Sequence, residues 1–147
     1  MVELVIYGEP VGKQRPRVSM YNGIVRTYTP SKTTNYESLI RHEYTSKYDK
    51  QEFEINEPIK ATIDIYFGLN KGDYGKKGLN KSGREKIENK YATTHIDIDN
   101  IVKVVFDALN NVAYPDDKQV VMVFATKQYT LETPRVEIKL ESLKNEN

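Results

Sequence analysis

The sequence has no cysteine and no tryptophan. Without cysteine there are no disulfides and no thiolate metal ligands, which fits a reducing compartment. No apolar run approaches the length needed to cross a bilayer. The opening residues, MVELVIYGEP, show no basic segment followed by a long apolar stretch, so no signal peptide is expected. These absences predict a soluble, cytoplasmic protein with no membrane partner. The aromatic set is narrow as well, with 11 tyrosines against four phenylalanines. Tyrosines pack core edges, pair at interfaces or stack on bases, so the excess by itself decides nothing.

What is present is one domain's worth of chain: 147 residues, enough to bury a real hydrophobic core. The hydrophobic share of 38% and the charged share of 29% both lie within the globular range. The net charge of +1 conceals a segregation along the chain. Residues 11–41 carry Lys13, Arg15, Arg17, Arg26, Lys32 and Arg41 against Glu37 alone. Residues 71–90 carry seven cations against three acids, a run that taken alone is ordinary solvated charge. Residues 97–117 reverse the sign, with five aspartates and one lysine. Two basic segments around an acidic one suit a nuclease, with arms that grip phosphate and a centre that holds a cation.

Val2 to Tyr7 reads as a short buried strand, stopped by Gly8 and Pro10. Gly12 and Pro16 then keep the chain irregular while Lys13, Arg15 and Arg17 are presented, and arginine forks suit bidentate phosphate contacts. Asn22-Gly23 supplies the turn of a hairpin. A helix is expected from about Ser31 to Lys47, capped by Ser31 or Thr29, with Tyr36, Leu39, Ile40, Tyr44 and Tyr48 at helical spacing. His42 within it has no partner at ligand spacing and reads as a plain surface or half-buried histidine. Ile59, Ala61, Ile63, Ile65 and Phe67 alternate with polar residues, as in a half-buried strand. Residues 70–94 read as a flexible basic loop that includes Lys76 and Lys77, with weak helical character near Ser82–Lys90. Gln119–Thr130 and Pro134–Leu143 read as two more strands, and 144–147 as a polar tail. The expected fold is a single α+β domain with a mixed or antiparallel sheet.

The stretch HIDIDNIVKVVFDALNNVAYPDDKQ, from His95 to Gln119, concentrates the chemistry. An extended lead-in would put Asp97 and Asp99 on one side and Ile96 and Ile98 in the core. From about Asp99 a helix is expected, with Ile101, Val104, Val105, Ala108 and Leu109 on its apolar face. Ile98, Val102 and Phe106 widen that face until only a strip with Asn100, Lys103, Asp107 and Asn110 stays polar. A turn through Asp116 and Asp117 can return carboxylates toward this strip. Taken singly, each acid has a bland explanation: Asp97 or Asp99 as a helix cap, Asp99–Lys103–Asp107 as a solvated ladder, Asp116-Asp117 as turn residues. None of these explains their concentration around a helix that is otherwise core. Two or three carboxylates plus a phosphate suffice for a hard divalent cation such as Mg²⁺, which can polarise phosphate and activate water. Lys103 could stabilise charge on the phosphorus centre.

The segment DIDNIVKVVFDALN…YPDDKQV closely resembles the D-x-D-N-x-x-K-x-x-x-D-A-L…DD-x-Q-V signature of the RusA family of Holliday-junction resolvases, found in bacteria and their prophages. The opening G-x-P-x-G-K-x-R-P-R, followed by Tyr-Thr-Pro before a helix, is similar to that family's N-terminal pattern. The resemblance implies a homodimeric endonuclease, dependent on Mg²⁺ with Mn²⁺ as substitute, that resolves four-way DNA junctions by paired symmetric nicks. It assigns Asp97, Asp99 and Asp117 as catalytic, metal-holding aspartates and Lys103 as the catalytic lysine, with Asp116 the weaker claimant beside Asp117. Two positions depart from the pattern: Ile96 stands where many relatives have proline, and Asn111 where many have glycine.

On this reading Lys13, Arg15, Arg17, Lys76 and Lys77 grip branched DNA. Two alternatives share parts of the pattern: a non-catalytic DNA-binding phage accessory protein whose acids are structural, and a metal-dependent nuclease acting on other branched DNA.

Overall fold

The computed structural model describes residues 1–28 and 30–145. In chain order its elements are β1 (Val2–Tyr7), β2 (Arg17–Tyr21), β3 (Ile24–Tyr28), α1 (Ser31–Lys47), β4 (Ile59–Phe67), β5 (Tyr74–Gly75), β6 (Gly78–Leu79), α2 (Lys81–Asn89), α3 (Ile98–Leu109), β7 (Val120–Tyr129) and β8 (Arg135–Ser142). Four strands make the main sheet, in the order β1-β8-β4-β7. β8 runs antiparallel to both β1 and β4, while β7 lies parallel to β4, so the sheet is mixed. The α+β class expected from the sequence is the one found.

The sheet has one apolar face, because strand side chains alternate with a period of two. Leu4 on β1, Ile138 on β8 and Ile63 on β4 sit in register across it. Val2, Ile6, Ile59, Ala61, Ile65, Phe67, Val136 and Leu140 complete that face, each almost or wholly buried. β1 is therefore half-buried rather than buried outright, with Glu3, Val5 and Tyr7 on the wet side. α1 and α3 pack together over the apolar face. α1 contributes Thr33, Tyr36, Ile40 and Tyr44, and α3 contributes Ile101, Val104, Val105, Ala108 and Leu109. Leu39, expected in the α1 stripe, stays 38% exposed. Ile98, Val102 and Phe106 are only partly covered, so the apolar face of α3 is narrower than the sequence implied.

Local chemistry explains most of the boundaries. Asn22 and Gly23 both take positive φ (50° and 76°), the two-residue hairpin turn that Asn-Gly favours. α1 begins after Pro30, which makes no side-chain cap, so Ser31 is the first helical residue and not the cap. Thr29, the other expected cap, lies outside the described residues, as do Glu146 and Asn147 of the polar tail. Asn111, where many relatives carry glycine, takes φ 61° just past α3. That left-handed conformation suits glycine, and asparagine is among the few other residues that visit it.

Two segments differ from expectation. Residues 92–97 are not an extended lead-in; His95 has φ 75° and its ring stacks on Phe67 at 4.5 Å between centroids. Asp97 becomes the residue before α3 and Asp99 lies in its first turn, so helix geometry and not strand alternation places the two carboxylates. Residues 70–94, expected as a loop with weak helical character near Ser82–Lys90, carry a 3₁₀ turn at Lys71–Asp73 and the small hairpin β5–β6, and the helix α2 forms where that helical character was read. Lys76 and Lys77 form the tip of that hairpin. Among the described residues, no helix is long and apolar enough to cross a membrane.

Candidate active site

The polar strip of α3 organises the acidic centre. The N-terminal loop docks on its first turn: the Lys13 N–H donates to the Asn100 carbonyl at 2.9 Å. Gly12 is what lets the loop approach. A Cβ there would run into the Ile96 Cγ2, too close for any side chain without a shift. From the other side Thr33 of α1, fully buried, staples the loop. Its hydroxyl donates to the Gly12 carbonyl and accepts from the Gln14 N–H, both at 3.2 Å.

This docking closes one wall of an open cavity of about 590 Å³ that gathers Asp97, Asp99, Lys103 and Asp107 beside Lys13 and Arg15. Within it the charges divide into two kinds. Lys13 is engaged, its ammonium 2.8 Å from Glu37 and 3.1 Å from Asp107. Burial works against its charge, but the two carboxylates outweigh burial and raise its pKa above the ordinary lysine value. Asp97, Asp99 and Lys103, by contrast, make no side-chain hydrogen bond and no ion pair among the described residues. Asp97 stands at the cap position of α3 without using its carboxylate as a cap. The bland explanations offered for Asp97 and for an Asp99–Lys103 ladder therefore do not describe what these groups do.

The third carboxylate is held at the other end of the strip. Asn110, the last residue before the chain leaves α3, accepts from the Asp117 N–H at 3.0 Å. Asp116 is occupied as a cap: its carboxylate accepts from the Lys118 N–H at 2.9 Å, while Gln119 answers back to the Asp116 N–H. The structure thus gives Asp116 a local job, while among the described residues no N–H or cationic donor meets the Asp117 carboxyl. Burial first, then the adjacent Asp116 and Asp107 carboxylates, push Asp117 above the usual aspartate pKa. Asp117 does not line the cavity that holds Asp97 and Asp99. Among the described residues, no three acidic or histidine side chains are grouped closely enough to hold a metal.

A divalent cation is tested by the donors present. Asp97 and Asp99 offer two unpartnered carboxylates, the hard oxygen donors that Mg²⁺ takes while keeping several waters of its own. The pair fits such an ion, and Asp117 carries negative charge crowded by its neighbours that a cation would relieve.

The basic residues fall at the rim and beyond. Arg15 lines the cavity, and Arg17 opens β2 two residues later. The β2–β3 hairpin rises from that rim with both faces exposed, and its register puts Arg17, Arg26 and Tyr28 on one of them. Lys76 and Lys77 are exposed, but on the separate β5–β6 tip. Sequence reasoning missed the positioning residues Gly12, Thr33 and Asn110. Gly12 was visible inside the G-x-P-x-G pattern; for Thr33 the sequence carries no signal.

The chain matches the family described as Endodeoxyribonuclease RusA over residues 7–141. It is also 33% identical over 144 residues to the uncharacterized protein YqaN of Bacillus subtilis (strain 168), covering 97% of this chain and 96% of that one.

Proposed function

The chain belongs to the RusA endodeoxyribonuclease family, a family of Holliday-junction-resolving nucleases, and from that premise we propose that it acts as a homodimer on four-way junctions, cutting them by paired nicks with Mg²⁺ or Mn²⁺. The observation that carries this reading is the set of uncommitted charges: Asp97, Asp99 and Lys103 share one open cavity and, among the described residues, are paired with nothing, while Lys13 and Asp107 beside them are paired. Unpaired charges held together on a rigid helix are what a charged ligand needs.

In this mechanism Asp97 and Asp99 would hold the cation, and Asp117, which lies outside the lining of their cavity, would serve as the third carboxylate that the resemblance assigns. A bound divalent cation supplies positive charge to the phosphodiester and makes nearby water more acidic. Lys103, one turn along α3 from Asp99, places its ammonium against the charge that grows on the non-bridging phosphate oxygens. Arg15 and Arg17 take the flanking phosphates, leading the strand into the cavity. Lys13 serves by tying the loop to Glu37 and Asp107 so that Arg15 stays at the rim. Exposed on their hairpin tip, Lys76 and Lys77 are free to take a second arm of the junction.

The deciding experiment is cleavage of a labelled mobile four-way junction in Mg²⁺, with the matching duplex and a three-way branch as controls. Wild type is expected to give paired nicks on the four-way junction. Asp99→Asn should bind it and not cut, and Lys103→Ala should cut about 10²–10³-fold more slowly. The lack of a three-carboxylate cluster among the described residues favours one competing reading, a DNA-binding accessory protein. Junction binding with no cleavage in either Mg²⁺ or Mn²⁺ would establish that instead. Preferential cutting of the three-way branch would move the substrate to other branched DNA.

A further inference from the structure

Among the described residues, one charged side chain stands in the helix-bearing face of the main sheet: Lys127 of β7. The parallel register sets Ala125 beside Ile63, Lys127 beside Ile65 and Tyr129 beside Phe67. Side chains in register on neighbouring strands share a face. Ile63, Ile65 and Phe67 are buried under the helices, so Lys127 projects to that side and not to the wet one. A lysine in an apolar row needs a partner there.

Its partners are not carboxylates. The ammonium donates to two backbone carbonyls, that of Thr94 at 3.1 Å and that of Ile96 at 2.9 Å. These flank His95, whose φ of 75° bends the chain on its way into α3. Among the described residues neither carbonyl meets another donor, and a part-buried carbonyl deprived of its donor is costly. The same turn is gripped at other points. The Thr94 and Tyr129 hydroxyls lie 3.3 Å apart, and the His95 ring stacks on Phe67 with Tyr129 edge-on at 5.7 Å between centroids. On the opposite side Ile96 lies against Gly12 of the N-terminal loop.

We propose that Lys127 is the positioning residue for Asp97: by tying down the Thr94 and Ile96 carbonyls it fixes where the Asp97 carboxylate stands. Asp97 follows Ile96 by one peptide bond and uses no side-chain cap of its own, so the backbone before it decides its place. Lys127, Asp97 and Asp99 line one cavity of about 560 Å³, which puts the clamp in the wall of the acidic centre. The consequence for a bound cation rests on the metal reading of Asp97; the clamp itself does not.

Charge and position act here in opposite directions. On charge alone, an ammonium beside two carboxylates repels a divalent cation, and its removal would tighten cation binding. Loss of a residue that orients a metal ligand does the reverse, weakening the metal by about 10–100-fold. Because the donors of Lys127 are spent on carbonyls, Asp97 keeps its carboxylate unpaired, and position outweighs charge.

The test compares wild type, Lys127→Met, which keeps the apolar stem and loses the donors, and Lys127→Arg, which keeps donors and charge. Without metal or DNA, hydrogen exchange is followed at Asn100, whose N–H donates to the Asp97 carbonyl at 3.1 Å. Lys127→Met should lower its protection about tenfold and leave Ile138 in the sheet centre unchanged, while Lys127→Arg should behave as wild type. Mn²⁺ binding, read from the electron paramagnetic resonance of the free ion, should weaken about 10–100-fold in Lys127→Met and recover in Lys127→Arg. Unchanged Asn100 protection overturns the proposal, as does Mn²⁺ binding that is equal or tighter in Lys127→Met, or an arginine variant as weak as the methionine one. A wild type that takes up no Mn²⁺ sinks the metal reading instead, and a fall in Asn100 protection in the same variant still upholds the clamp.

Discussion

Asp73 has 3% of its surface exposed and accepts three hydrogen bonds, from the Lys86 ammonium, the Ser82 hydroxyl and the Asn70 N–H, each at 2.8 Å. Lys86 first, then Ser82, hold its carboxyl at about 2, below the ordinary 3.8. A folded value below the unfolded one means that this carboxylate stabilises the fold above about pH 4, and the contribution is lost as pH falls through about 2. Amide protection factors at Asn70 and Asn80 are therefore expected to drop between those limits, ahead of the main sheet. Asp73→Asn should lower them at neutral pH and flatten the dependence; a wild type with level protection factors down to pH 2 would contradict this. Asp73 was counted in the sequence as one acid in a basic run. Its partners sit nine and thirteen residues away, and only the turn of the chain shows that they converge.

Between elements, the junction of the N-terminal loop with α3 decides whether there is a site at all. Gly12→Ala forces the Ile96 side chain to move and should cost about 1–3 kcal/mol. Thr33→Val removes the acceptor for the Gln14 N–H and the donor to the Gly12 carbonyl, for about 1–3 kcal/mol. Both should lower the denaturation midpoint and also slow the proposed junction cleavage, since they hold the loop whose residues Lys13 to Pro16 wall the cavity. A variant that loses stability while cutting at the wild-type rate would show that the loop is scaffold alone. The elements themselves were legible: alternation gave β4 and β8, apolar runs bounded by turn residues gave β1 and β7, and helical spacing gave α1 and α3. The approach to α3 was misread because His-Ile-Asp-Ile-Asp alternates like a strand. The stacking of His95 on Phe67 and the onset of α3 at Ile98 override that local pattern.

For the whole molecule, the proposed function makes the arrangement of charge responsible for how DNA is held. Arg15 and Arg17 are exposed and Lys13 is tied to two carboxylates. Replacing both arginines with alanine should reduce the slope of log affinity against log salt by about 2, close to one for each phosphate no longer neutralised. Lys13→Ala should leave that slope nearly unchanged and lower thermal stability, because its charge serves the interior. A slope that falls with Lys13 and not with the arginines would reverse these roles.

The sequence by itself determined the fold class and most of the strands and helices, and it singled out the acidic residues from which the proposed site is built. These depend on periodicity and on motifs whose members lie a few residues apart. Tertiary structure decided which charges are spent and which are free. Lys13 is paired across the fold with Glu37 and Asp107, and Asp116 is consumed by its own turn. Asp117 is positioned by Asn110 but lies outside the lining of the cavity that holds Asp97 and Asp99. It also decided that the outward backbone groups of Glu3 on β1 are met by Lys47 and Tyr48 at the end of α1. A residue's partners depend on what the folded chain brings to it from far along the sequence, and no local pattern encodes that.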